Sequence, residues 1–266
     1  MRLYLCQPDI VWEDRRANLQ KVRAMVESVR PAPGSLVVLP EMFSTGFSMN
    51  PAITREGIAS ESTELMGDLA RQFQCCVMGG LVHGTRGTLF NQAVAMSPER
   101  RELVRFSKLH PFSPAGEDRL ITPGAGVALF EWAGFVVAPF ICYDLRFPED
   151  FRTAVGQGAT LLVVMANWPA SREDHWVTLL RARAIENQAV VAGVNRCGAD
   201  PQTAYPGRSM VVGPRGEILA EAGAEETVLE AEVSPDLVRE SREAFPALRD
   251  AGLIGSPAEV FRPRIW

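Results

Sequence analysis

The sequence predicts an α/β fold of stacked layers in which at least some strands pair in parallel. Three observations point to it. Strand-like apolar runs alternate with segments of helical periodicity. Two of those runs, "SLVVLP" at 35–40 and "TLLVVMAN" at 160–167, are continuously apolar, as strands buried on both faces are. No linker-like composition interrupts the alternation, so 1–266 reads as one domain, with about 251–266 as a C-terminal tail.

In chain order, "RLYLCQ" reads as the first strand. Leu19, Val22, Val26 and Val29 recur at helical spacing until the breaker "RPAPG". "SLVVLP" follows as a strand, and Ser62 is placed to cap a helix carrying Leu65, Leu69 and Phe73 on one face. "CCVMGGLVHG" and "LFNQAVAMS" flank a Gly-Thr-Arg-Gly turn and read as a hairpin. "ELVRFSKLH" is a strand with a polar end. Beyond the glycine-rich stretch 122–135 comes "VVAPFI", and then Pro148 at a helix start with Glu149 and Asp150 in its first turn. "TLLVVMAN" is followed by "SRED", which has the form of a capping box. That box precedes a helical face of Trp176, Leu179, Leu180 and Ala184. "AVVAGVN", "RSMVVGP" and "GEILAEA" complete the strands. After Pro257 the pattern is aperiodic, with Phe261, Ile265 and Trp266 expected to dock.

Composition excludes several functions. Hydrophobic residues make up 47% and charged residues 22%, with a net charge of −5, so a buried core is expected. Nothing basic or striped invites nucleic acid or an anionic membrane. No run approaches the ~18–20 apolar residues of a membrane span, and the N-terminus is too polar for a signal peptide. The odd count of five cysteines, mostly in apolar runs, fits reduced thiols and a cytoplasmic location. With three histidines and no C-x-x-C pair, no metal site is expected.

Three residues share one context. Glu41 follows "LVVLP", Lys108 follows "LVRFS" and Cys142 follows "VVAPFI", each at the carboxyl end of a strand, where α/β sheets open into ligand sites. A carboxylate, an ammonium and a thiol form a chemically sensible set. The ammonium lowers the thiol pKa and steadies an oxyanion, while the carboxylate takes the proton. Each also has a plain reading. Cys142 alone fits a small core hydrophobe, Glu41 a strand-end carboxylate and Lys108 a solvated lysine.

"LPEMFSTGF", "KLHPF" and "ICYDLRFPE", in this order, resemble the three signature segments of the nitrilase superfamily of carbon–nitrogen hydrolases. The resemblance covers roughly 1–250. It implies a four-layer α-β-β-α sandwich, assembled as a dimer or larger oligomer. It also implies Glu41 as general base, Lys108 as oxyanion-stabilising cation, Cys142 as nucleophile and the Tyr143 N–H as second oxyanion donor, with no cofactor. Glu117 is the candidate for a second glutamate, with Asp118 adjacent. The segment 166–198, with Asn167-Trp168-Pro169 and His175-Trp176, is similar to bacterial ω-amidases, as is "REAFPALRDA". The implied substrates are the small-molecule amides 2-oxoglutaramate, 2-oxosuccinamate or simple dicarboxylate monoamides. Arg146 either holds the substrate carboxylate or pairs with Asp144 or Glu149. Ser171 lends a hydroxyl to the pocket or merely caps its helix. Trp168 and His175 are pocket candidates on the same similarity, and Trp176 is core. A nitrilase, a carbamoylase, an acyltransferase or a non-catalytic binding protein retaining the fold are the alternatives.

Overall fold

The computed structural model describes residues 1–254 apart from Ile58 and Arg86. Two mixed sheets form its centre. The first runs in the order Thr227–Glu232, Arg2–Gln7, Leu36–Val38, Cys76–Thr85, Thr88–Met96, Glu102–Ser107, with the short strand Arg55–Glu56 also paired to Cys76–Thr85. The second runs Ile218–Glu221, Met210–Val212, Val190–Asn195, Leu161–Ala166, Phe135–Ile141, Phe130–Trp132. The two continuously apolar runs are indeed inner, parallel-paired strands.

Alternation within each strand builds the layers, because successive side chains leave opposite faces. Leu3, Leu5 and Val38 join the cluster that holds the second sheet's Val137, Leu162 and Val191. Their neighbours Tyr4, Cys6 and Val37 face Val22, Val26, Leu65 and Leu69 of the helices Arg15–Val29 and Glu61–Phe73. Beyond the second sheet lie the helices Pro148–Gly156 and Glu173–Asn187. The second of these lies so close that a Cβ on Gly193 would stand 2.5 Å from a Leu180 methyl. The result is the expected α-β-β-α sandwich.

Strand direction positions the site. Cys76–Thr85 is parallel to Leu36–Val38 and antiparallel to Thr88–Met96, which is antiparallel to Glu102–Ser107. Two reversals restore the direction, so the residues after Val38 and after Ser107 emerge at one edge. Phe135–Ile141 and Leu161–Ala166 of the facing sheet deliver Cys142 and Asn167 to the same place.

Local expectations differ from the fold at two caps. Ser60, not Ser62, caps the helix Glu61–Phe73 in a reciprocal pair with Thr63, while the Ser62 hydroxyl donates to buried Glu56. The "SRED" box does not form. Ala170–Arg172 makes a 3-10 turn and the helix starts at Glu173, leaving Ser171 too early in the chain to cap it. Trp176, Leu180 and Ala184 nevertheless form the buried face, with Leu179 half-buried. Pro148 opens its helix with Glu149 and Asp150 in the first turn, as expected. Phe261, Ile265 and Trp266 lie outside the described residues.

Candidate active site

Glu41 enters the site through a tight backbone approach. A Cβ at Gly80 would lie 2.6 Å from the Glu41 Cα, so only glycine lets the loop after Leu36–Val38 fold over the neighbouring strand. The Glu41 Oε1 accepts from Lys108 Nζ at 2.9 Å and from Asn91 Nδ2 at 2.8 Å. Its Oε2 accepts from the backbone N–H of Asn167 at 3.0 Å, a bond between the two sheets. Lys108 also donates to Glu117 Oε2 at 2.8 Å, and Asn91 to Glu117 Oε1 at 2.8 Å. Glu117 is fixed in turn by the Phe112 N–H at 2.6 Å. Two carboxylates, one ammonium and one amide thus form a closed network in which Glu41, Lys108 and Glu117 are wholly buried. Asp118 is exposed, so Glu117 is the acid of that pair brought to the site.

Cys142 sits where the strand Phe135–Ile141 breaks into the 3-10 segment Cys142–Arg146. Its φ is +46°, in the left-handed region that costs a non-glycine residue roughly 1–2 kcal/mol. Strain of this kind gathers where a side chain must be aimed. The thiol points to the Asn167 carbonyl at 4.0 Å, and the negative charge of Glu41 lies beside it.

Electrostatics amend one expectation. The thiol is pushed well above its usual range, first by burial and then by the negative charges of Glu41 and Glu117, which outweigh the lowering by Lys108. The resting group is therefore a protonated thiol beside a carboxylate, not a preformed thiolate. Burial alone would lower the Lys108 pKa. The fields of Glu117 and Glu41 and the hydrogen bond to Glu117 reverse this and hold it charged. The other four thiols are buried and free, with burial raising Cys6 and Cys75 to about 12 and Cys197 to about 11.

Above Cys142 opens a cavity of about 650 Å³ whose lining includes Tyr143, Arg146, Asn167, Trp168, Ser171 and Arg172. The Arg146 guanidinium lies 4.9 Å over the Trp168 ring and donates to His175 Nδ1 at 3.1 Å. Among the described residues it makes no ion pair. The pairing with Asp144 or Glu149 does not form, and the Asp144 oxygens accept instead from the backbone N–H groups of Ile141 and His110. Trp168 is buried beneath, its indole N–H on the Arg172 carbonyl at 2.7 Å. Ser171 lines the cavity as an exposed residue. His175 does not line it. One helical turn carries its ring outward, and it reaches the cavity only through Arg146.

A family model described as carbon–nitrogen hydrolase matches residues 2–243. The chain belongs to the carbon–nitrogen hydrolase family. This hydrolase is 38% identical to the omega-amidase YafV of Escherichia coli (strain K12) over 261 residues, covering 94% of the chain and 96% of that protein. It is 31% identical to the 2-oxoglutaramate amidase of Bacillus subtilis (strain 168), covering 92% and 95%. Among solved structures, XC1258 from Xanthomonas campestris, a CN-hydrolase superfamily protein with an arsenic adduct in its active site, superposes with a TM-score of 0.89. Its sequence identity is 32%, with 98% of this chain and 99% of that one covered.

Sequence reasoning missed Asn91 and the bridging role of Asn167. Both sit in or at the end of inner strands, where an uncharged amide is costly to bury unless something needs its hydrogens. That cost was the available signal. Asn91 lies inside "LFNQAVAMS" and is wholly buried.

Proposed function

We propose that this hydrolase is an ω-amidase that removes the terminal amide nitrogen of a small 2-oxo dicarboxylic acid monoamide, 2-oxoglutaramate or 2-oxosuccinamate, through a thioester on Cys142. The observation that carries the reading is the pairing, in one cavity, of a thiol at its base with a guanidinium in its wall that has no carboxylate of its own. A substrate carboxylate fits the Arg146 fork, and the amide at its far end then lies toward the thiol.

In the proposed reaction Glu41 takes the Cys142 proton as sulfur bonds to the amide carbon. Lys108 has three N–H groups, of which two are committed to Glu41 and Glu117, leaving the third for the oxyanion beside the Tyr143 N–H. One such donor contributes roughly 3–4 kcal/mol. When the C–N bond breaks, Glu41 returns its proton to the departing nitrogen and ammonia leaves. Water then attacks the thioester as Glu41 takes its proton. The C–S bond breaks, Glu41 passes that proton to the departing sulfur to restore the thiol, and the product acid leaves and ionises in solvent. Glu117 and Asn91 hold Glu41 and Lys108 in register throughout.

The test is ammonia release from 2-oxoglutaramate, succinamate, glutamine and an aliphatic nitrile, with Cys142→Ala as control. Preference for the 2-oxo monoamide and an inactive control are expected. Nitrile hydrolysis without amide hydrolysis, or an active Cys142→Ala protein, defeats the reading.

A further inference from the structure

Lys108 and Cys142 come from different sheets, and each heads an irregular segment rather than a regular element. Their relative placement depends on what joins those segments. Asp144, wholly buried, does so directly. One of its oxygens accepts from the His110 N–H at 2.9 Å, two residues past Lys108, and the other accepts from the Ile141 N–H at 3.0 Å, immediately before Cys142. A second tie runs beside it. The His110 ring stacks on Phe147 at 3.6 Å and 14°, and its Nε2 lies 2.7 Å from Asp150 Oδ2. Asp144 does not line the cavity, and both its oxygens are committed, so the thiol chemistry makes no direct use of it.

We propose that Asp144 is a positioning residue that latches the lysine loop to the nucleophile turn, with His110 and Asp150 as the outer half of the latch. The proposal rests on the reading above, in which Lys108 and Cys142 act on one substrate carbonyl. Both ties are required because Cys142 is held in an unfavourable backbone conformation, and its neighbour's N–H must not be free to swing away. A displacement of about 1 Å between nucleophile and oxyanion donor is enough to cost on the order of 100-fold in rate.

The latch is sensitive to protons. Burial raises the Asp144 carboxyl to about 7 against the lowering influence of Lys108 and of its two N–H donors, with Asp150 adding to the rise. The groups facing it are Lys108 from the loop and Asp150 from the following helix, with His110 reached through Asp150. A proton on Asp144 replaces an acceptor by a donor opposite a backbone N–H, which opens one tie. Above pH ~7 the latch is closed, and below it loosens.

The experiment compares Asp144→Asn, His110→Ala and Cys142→Ala in ammonia release from 2-oxoglutaramate across pH 5–9, with folding checked by circular dichroism. Asp144→Asn sets an NH2 against one of the two N–H groups. Its kcat is expected to fall about 10- to 100-fold with KM unchanged, and the acid limb of the kcat profile near neutrality to flatten. His110→Ala keeps the backbone N–H on Asp144 and is expected to lose kcat by about 3- to 10-fold, again without change in KM. If Asp144→Asn does not fold, His110→Ala decides alone. Wild-type kcat in the folded variants, beside an inactive Cys142→Ala protein, overturns the latch and leaves the thioester reading intact. An active Cys142→Ala protein overturns both.

Discussion

Replacing Asn91 by leucine probes the buried network without touching the thiol. Asn91 gives one hydrogen to Glu41 and one to Glu117, each at 2.8 Å. Hydrogen bonds to charged groups are worth about 1.5–3 kcal/mol apiece. The losses are unequal, since Glu41 Oε1 keeps Lys108 at 2.9 Å, whereas Asn91 is the donor recorded on Glu117 Oε1. Against them stands a gain, because the Asn91 Oδ1 is itself buried without a partner and leucine removes it, a relief of about 1–3 kcal/mol. At the midpoints of these ranges the net destabilisation is about 2–3 kcal/mol. For a chain of this size that is a fall in Tm of roughly 4–12 °C. Glu41 also loses half its orientation on the oxygen nearest Lys108, and kcat falls about 10- to 100-fold. Differential scanning fluorimetry and ammonia release measure the two effects. An Asn91→Leu protein with wild-type Tm and kcat would show that the amide bridges nothing of consequence, and the account of the network would be wrong.

The other predictions concern charge, recognition and packing. In Glu41→Gln the hydrolysis is lost, yet removing that negative charge lets Lys108 pull the thiol pKa downward, so iodoacetamide alkylation of Cys142 at pH 7 becomes faster; slower alkylation refutes the electrostatic assignment. Arg146→Met raises KM for 2-oxoglutaramate by about 10- to 100-fold, as loss of a charge-assisted bond predicts, while a neutral amide is little affected; an equal loss on both substrates counts against a carboxylate clamp. His175→Ala, acting only through Arg146, gives a smaller rise in KM, and an effect on kcat alone contradicts that placement. Gly193→Val drives the helix Glu173–Asn187 off its sheet and costs about 1–3 kcal/mol or more, read as a lower urea midpoint; an unchanged midpoint contradicts the close approach.

The sandwich was legible where burial writes itself into composition. "SLVVLP" and "TLLVVMAN" suit fully buried strands, and Trp176, Leu179, Leu180 and Ala184 fall on one helical face. The candidate site was legible as three strand ends, and Glu117 could be placed beside them. The relation among these residues was not, because it depends on which sheet edge each strand shares and on two reversals of direction. Caps were misjudged for a local reason. Serine at 62 and 171 has the right chemistry, but a neighbouring turn decides where a helix begins, which moved one cap to Ser60 and emptied the other. His175 is a pocket candidate by similarity alone, and its helical phase turns it outward. Arg146 could not be decided in advance, since the engagement of Asp144 elsewhere shows only in the fold. The raised thiol pKa was hidden too, because Lys108 in the sequence says nothing of the thiol's burial or of the two carboxylates packed around it.

The 3.0 Å bond from Asn167 to Glu41 spans 126 residues of chain and the space between two sheets. Glu41 and Lys108 follow strands of one sheet, while Cys142 follows a strand of the other. On the proposed reading each sheet supplies only part of the chemistry, so a collapsed intermediate with loosely docked sheets is expected to turn over no substrate. Ammonia release during refolding is therefore a clock for the final docking event, and it should lag behind the recovery of secondary structure. The same division means that a ligand gripping both walls of the cavity staples the sheets together. A slow-hydrolysing substrate analogue should then protect the protein against unfolding out of proportion to its size.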